Sequence, residues 1–373
     1  MKKILTLVLV LALALTSVAL LAACDTKTYE IALITDVGNI DDKSFNEGAW
    51  NGVKEYAEEN NISYQYFRPL EDSQLAREKT IKSAILKGAK VVVCPGFLFE
   101  SSVYQLQKQY PEVNFLLLDV DAREVDKEGN LTGKTKITEN VHCIIYQEEQ
   151  AGFLAGYAAV KDGYRKLGFI GGMAVPAVQR FGHGYVDGAE FAAKELNLLD
   201  GAIELKYWYS NSFAPSPDTL TKSQAWYDGG TEVIFACGGG LYLSVIEAAA
   251  KANKKVIGVD TDQYLGTKKN ETFISSAMKE LKISVKLALK SLYANSGKWD
   301  ASHAAKVAIL GAQDNCVGLP LGESWRFAKF TIDEYNELYK KLQKGEIVVN
   351  PIIEVVEKIE KFTPTVKVVL TVI

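Results

Sequence analysis

Short, continuous apolar runs rich in β-branched residues recur along the chain, at 31–35, 90–94, 115–119, 167–171, 232–237 and 255–260. Runs of this length with no polar alternation predict strands buried on both faces. Between them lie longer segments with apolar residues at helical spacing: 44–60, 73–87, 148–160, 178–197, 241–252 and 283–294. Asp72 and Ser73 stand where the second helix needs a cap, and Asn197 or Gly201 where the fourth should end. Strand alternating with helix predicts an α/β fold of parallel sheets covered on both faces.

The alternation runs twice, ending near Gln147 and restarting near Lys166. Two doubly wound parallel-sheet lobes follow, with the chain crossing between them at 144–147. The expected boundaries are 29–146 plus about 277–300 for the first lobe and 147–276 plus about 301–350 for the second. The tail, 351–373, mixes charges with β-branched residues and forms a late strand or packs on a lobe. Ligands of open parallel sheets collect beyond the carboxyl ends of the strands. Here those ends carry Asp36, Gly96, Asp119, Gly171 and Gly172, Gly238 to Gly240, and Asp260.

The N-terminus fixes a compartment. Lys2 and Lys3 precede an apolar run, and small residues lead into LAAC at 21–24. A charged start, apolar core and small-residue exit predict a secretory leader, 1–23, in preference to a retained membrane span. LAAC resembles the bacterial lipobox, which implies a lipid-modified Cys24 and a membrane anchor on the extracytoplasmic face. Residues 24–28 would then be a tether of less than about 20 Å. The 373 residues carry a formal net charge of −4 and no basic block, which argues against nucleic acid. The remaining cysteines, Cys94, Cys143, Cys237 and Cys316, are far apart in sequence. Buried free thiols are the simpler expectation, with one disulfide among them left open.

The stretch TDVGNIDDKSFNEG (35–48) concentrates the chemistry. A calcium EF-hand fails, because Gly38 and Ile40 stand where oxygen ligands belong. No phosphate loop matches anywhere. The nucleoside hydrolase signature DxDxGxDD lacks its first aspartate, replaced by Ile34, and has one residue inserted before Asp41 and Asp42. His142, His183 and His303 lie in no nucleophile setting, and three histidines make zinc catalysis a poor fit. A helix start explains part of the loop: Ser44 or Asp42 as cap, with Glu47 completing a box with Ser44. It does not explain Asp36 or the aromatic Phe45.

This stretch resembles the basic membrane protein family of solute-binding lipoproteins, whose members include purine nucleoside receptors of ABC importers. FLLLD (115–119), GGM (171–173), NSF (211–213), CGGG (237–240) and GVDTDQ (258–263) extend the similarity across the mature chain to about Lys344. The resemblance implies a type I periplasmic-binding-protein clamp that holds its ligand without converting it. It also implies a permease and an ATPase as partners, a monomer, and no cofactor or metal. A purine (guanosine, inosine or adenosine) would sit between Phe45 and Phe213. Asp36, Asn46 and Asp119 would line its base or sugar edge, with Asp121 an alternative to Asp119. Gly238 would bring backbone close, and Asp260 and Lys279 would hold the ribose. A sensor with the same clamp, a sugar or other small polar cargo, and a hydrolase remain open alternatives.

Overall fold

The computed structural model describes residues 28–36, 38–126, 131–351 and 365–373. The expected leader, Cys24, the tether up to residue 27, and 352–364 of the tail lie outside them. The first part of the chain forms β1 Ile31–Ile34, α1 Phe45–Glu59, β2 Tyr64–Phe67, α2 Gln74–Leu86, β3 Val91–Pro95, α3 Glu100–Leu106 and β4 Asn114–Leu118. A hairpin, β5 Arg123–Val125 and β6 Leu131–Thr135, precedes β7 Val141–Tyr146. There follow α4 Glu148–Asp162, β8 Lys166–Gly171, α5 Pro176–Glu195, β9 Ile203–Tyr209, α6 Pro217–Asp228, β10 Val233–Cys237 and α7 Tyr242–Ala252. The last elements are β11 Lys255–Asp260, α8 Gln263–Gly266, β12 Phe273–Lys279, α9 Leu281–Ala294, β13 Lys306–Leu310, β14 Val317–Gly318, α10 Ile332–Gln343 and β15 Val368–Val372.

Two sheets result. The first has the order β13-β7-β4-β3-β1-β2 and is parallel throughout. The second has the order β14-β12-β11-β10-β8-β9-β15, with only the short β14 antiparallel. Strand order reverses between β1 and β3 in one sheet and between β8 and β10 in the other. A crevice opens at such a reversal, because the helices on either side of it leave toward opposite faces. Both crevices meet in one cleft.

The lobes repeat one design. β3 and β10 each run into a glycine at positive φ, Gly96 at 109° and Gly238 at 128°, then a short helical turn. Asp119 directly follows β4 and Asp260 ends β11, and both adopt left-handed backbone, with φ of 67° and 64°. Aspartate tolerates that region better than most residues, yet it is still a strained choice of the kind found at functional sites.

Among the described residues, three segments cross between the lobes. The first is Gln147, between β7 and α4. The second is Glu280, between β12 and α9, which packs on α1 through Leu281 and Val285 against Gly48 and Gly52. The third joins β13 to β14. Here two expectations are corrected. Residues 306–310 belong to the first sheet, pairing from Lys306 opposite His142 to Leu310 opposite Tyr146. A five-residue edge strand with Val307 and Ile309 exposed shows no burial pattern to read. Residues 277–279 stay in the second sheet as the end of β12, whose buried Ser275 and Ser276 disguise a core strand. The tail ends in β15, a parallel edge strand beside β9. It is held where Val366, Lys367 and Val368 donate backbone N–H groups to the Glu190 carboxylate.

Helices α4 and α5 cross unusually closely. A Cβ on Gly152 or Gly156 would overlap the carbonyl of Phe181 or Tyr185, and one on Gly184 or Gly188 the carbonyl of Glu149 or Phe153. Bare glycine backbone on both helices permits this approach. Cys94, Cys143, Cys237 and Cys316 are buried free thiols, so no disulfide joins them.

Candidate functional site

The cleft encloses about 660 Å³ between the carboxyl ends of the two sheets. Asp36, Phe45, Asn46, Asp119, Phe213, Gly238, Asp260 and Lys279 all line it. The first four come from the first lobe and the last four from the second.

The loop after β1 is built around its own carboxylates. Gly38 donates its backbone N–H to Asp36 Oδ1 at 2.6 Å, and Asn46 Nδ2 donates to the same oxygen at 2.9 Å. Burial raises the Asp36 carboxyl above its ordinary range, against these hydrogen bonds. Asp42 caps α1: it accepts the backbone N–H of Ser44 at 2.8 Å, and those of Asn46 and Glu47 at 3.1 Å each. Burial pushes its carboxyl to about 6 despite those donors. The expected Ser44–Glu47 box is absent. Ser44 makes no cap hydrogen bond, and its hydroxyl reaches across the cleft to Asp260 Oδ2 at 2.5 Å. Asn46 also serves the loop, since its Nδ2 braces both Asp36 and Asp42. Lys43 joins the lobes by its carbonyl, which accepts from Thr261 Oγ1 at 2.7 Å and Gln263 Nε2 at 3.1 Å.

Phe213 owes its place to glycines. A Cβ on Gly172 would overlap its ring, and one on Gly238 or Gly239 would lie within 2.9 Å of its side chain. The space above Gly238 is therefore filled by this ring. The same glycine run that lines the cleft seats its aromatic wall. Gly172→Ala should push the ring from its seat and weaken ligand binding about as much as Phe213→Ala does. Calorimetry on both variants checks this; Gly172→Ala binding like the parent protein would refute it.

Beneath Phe45 lies a buried charge cluster. Lys279 Nζ is 2.7 Å from Asp119 Oδ2, 3.4 Å from Asp260 and 3.4 Å from Glu148, and 4.4 Å from the centroid of the Phe45 ring. One ammonium thus joins the equivalent aspartates of the two lobes. Burial disfavours the Lys279 charge, but Asp119, Asp260 and Glu148 more than offset it and hold the ammonium firmly protonated. Burial pushes Asp119 up to about 7, with Lys279 offsetting only part of the effect. Its Oδ1 is buried with no hydrogen-bond partner among the described residues, and so is available to a donor in the cleft. Asp121, the alternative to Asp119, is instead paired with Arg123.

Glu148 and Arg180 belong to this cluster and escape a reading by motif. Glu148 accepts from Arg180 Nε at 2.5 Å. In sequence Glu148 looks like an ordinary acidic residue of a first helical turn. Arg180 is equally inconspicuous there, because it shares a stripe at helical spacing with His183, Asp187, Glu190 and Lys194 and so reads as part of a solvated face. His183, on the same helix, is buried, which lowers its imidazole to about 4.

Two lobes joined by three crossings, with a polar cleft at their strand ends, define the class of two-lobed solute-binding proteins. The chain belongs to the Bmp family, described as ABC transporter substrate-binding protein PnrA-like, whose profile matches residues 30–358. It is 31% identical over 287 residues to the "ABC transporter nucleoside-binding protein BmpA" of Lactococcus lactis subsp. cremoris, covering 70% of this chain and 75% of that protein. It is 27% identical to "Basic membrane protein B" of Borreliella burgdorferi, covering 87% and 88%. Its fold is similar to that of a solute-binding protein of an ABC transporter system from Aeropyrum pernix K1, with a TM-score of 0.71 and 21% identity over 86% of this chain and 94% of that one. A protein of this family presents a small molecule to a membrane permease driven by an ATPase. Among the described residues, no helix is long and apolar enough to cross a membrane.

Proposed function

We propose that this protein captures purine nucleosides in the interlobe cleft, intact, and is tethered to the membrane by a lipid on Cys24. The observation that carries the proposal is the pairing of aromatic and acidic groups in one cleft. Phe45 and Phe213 line it from different lobes, and Asp36, Asp119 and Asp260 line it beside them. Aromatic faces take a flat heterocycle, with stacking worth about 1–3 kcal/mol per base. Carboxylates take the hydroxyl donors of a ribose and the N–H donors of a purine, and such charged hydrogen bonds are worth about 1.5–3 kcal/mol each. The printed name of the Lactococcus relative, nucleoside-binding, points the same way. Asp119 and Asp260, tied to Lys279, are the candidates for the sugar. Asp36 is the candidate for the base edge, positioned by Asn46.

Among the described residues, the carboxylic and basic side chains lining the cleft are Asp36, Asp41, Asp42, Asp72, Asp119 and Asp260 against Arg68 and Lys279, six acids to two bases. Lys279 is already engaged by carboxylates. A phosphate would enter a field of its own sign. Guanosine, inosine or adenosine should therefore bind at least about 100-fold more tightly than the corresponding monophosphate. Phe45→Ala should lose roughly 5- to 150-fold, the range that the stacking energy spans. Titration calorimetry decides both. Equal binding of nucleoside and nucleotide, or of Phe45→Ala and its parent, would reject the assignment. Chromatography of the recovered ligand should show unbroken nucleoside, and Cys24→Ser should abolish incorporation of labelled fatty acid.

A further inference from the structure

Glu148 and Arg180 are almost wholly buried, and neither lines the cleft. Both nevertheless sit at the joint between the lobes. Glu148 opens α4 one residue after the first crossing, and Lys279 ends β12 one residue before the second. The crossings lie side by side. Gln147 donates its N–H to the carbonyl of Leu310 at 2.9 Å, Glu280 to that of Cys316 at 2.9 Å, and Ala312 to Gln150 Oε1 at 2.8 Å. This joint is stiff on the α4 side, because the glycine crossing locks α4 to α5 around Arg180.

We infer that Arg180 and Glu148 form a positioning pair that sets the ammonium of Lys279 between Asp119 and Asp260, so that ligand affinity depends on a guanidinium the ligand never touches. The inference rests on reading this cleft as the nucleoside site.

Of the three carboxylates around Lys279, Asp119 and Asp260 face the cleft and Glu148 lies behind it. The ammonium is nearer Asp119, at 2.7 Å, than Glu148, at 3.4 Å. Glu148 can stay at the longer distance because Arg180, at 2.5 Å, takes most of its charge. Glu149, 3.9 Å from the same guanidinium, adds a further acid behind the cleft. Without Arg180, a fully buried carboxylate would have Lys279 as its one close cation. It would draw the ammonium back from Asp119, because an uncompensated buried charge is costly. Burial alone would raise Glu148, but Arg180 and Lys279 together hold it below the ordinary range. Loss of Arg180 therefore lets it take up a proton at higher pH. The charged groups facing Glu148 are Arg180, Lys279, Asp119 and Glu149.

The test uses Arg180→Met, Glu148→Gln and their combination, titrated with guanosine. Arg180→Met should lose at least 10-fold in affinity at pH 8, and the ratio of variant to parent should close as the pH falls to 6. The double variant should return to within about threefold of the parent, because the competing charge is gone. Glu148→Gln alone should also lose at least threefold, because Arg180, left with Glu149 at 3.9 Å, then competes with Lys279 for Asp119, and this variant keeps the test valid if Arg180→Met does not fold. A second readout needs no ligand: the Asp119 carboxyl, followed by carbon NMR, should titrate higher in Arg180→Met and return in the double variant. A merely structural role predicts additive losses, a ratio independent of pH and no return of Asp119. Any of these, or parent-like binding in Glu148→Gln, overturns the inference. A parent protein that binds no nucleoside, while Asp119 moves as described, would reject the nucleoside reading and leave the positioning pair standing.

Discussion

Lys279→Met should abolish ligand capture and destabilise the fold together. The substitution keeps much of the side-chain volume and removes the one ammonium among Asp119, Asp260 and Glu148. Breaking a buried ion pair from one side costs about 3–5 kcal/mol, because the remaining charges stay buried and unpaired. An unfolding midpoint lowered by roughly 5 °C is expected for a chain of this size. The loss should depend on pH, with a definite sign. Asp119 titrates higher in the folded protein, at about 7, than in an unfolded chain, at about 3.9. Its proton therefore stabilises the fold fully below the unfolded value, and that stabilisation is lost as pH rises through the folded one. With Lys279 gone the folded value climbs further, so the variant should be closer to the parent at pH 6 than at pH 8. Scanning calorimetry at the two pH values measures this. A variant that melts with its parent and still binds would show that the cluster holds neither the fold nor the ligand.

Gly156→Val should be the most damaging substitution away from the cleft. Its Cβ would overlap the Tyr185 carbonyl, which is backbone and cannot rotate aside. Valine is a better helix former than glycine by a few tenths of a kcal/mol, far below the clash it creates. Forced overpacking costs about 1–3 kcal/mol where side chains yield, and more where two helices must separate. The separation would also draw Glu148 from Arg180, so ligand affinity should fall although no residue of the cleft has changed. Denaturant unfolding and calorimetry on the same variant test both parts. Unchanged stability would mean that the α4–α5 crossing can widen freely.

Much of the cleft is legible because parallel sheets place all strand carboxyl ends along one edge. Asp36, Asp119 and Asp260 stand at the ends of runs that are strongly apolar and easily recognised, so their convergence follows from topology. Phe45 is legible as an aromatic where a helix start needs none. Phe213 is harder: it lies in a loop with no periodicity, and only its glycine seat fixes where the ring goes. The edge strands β2 and β13, and β9 next to the edge, are poorly legible, because their exposed positions mix polar residues into the apolar pattern. Ser44 illustrates a different failure. Local rules assign its hydroxyl to the helix it begins, but a carboxylate from the other lobe offers a stronger, charged partner.

By itself, the amino-acid order determined the two-lobed α/β class, the loop after the first strand and the residues at the strand ends, because periodicity and turn chemistry are local. Only the tertiary structure decided that Lys306–Leu310 joins the first sheet, that glycines seat Phe213, and that Arg180 and Glu148 stand behind Lys279. Those outcomes depend on contacts between residues far apart in the chain. Burial makes such contacts strong, and nothing in the neighbouring sequence of either partner records them.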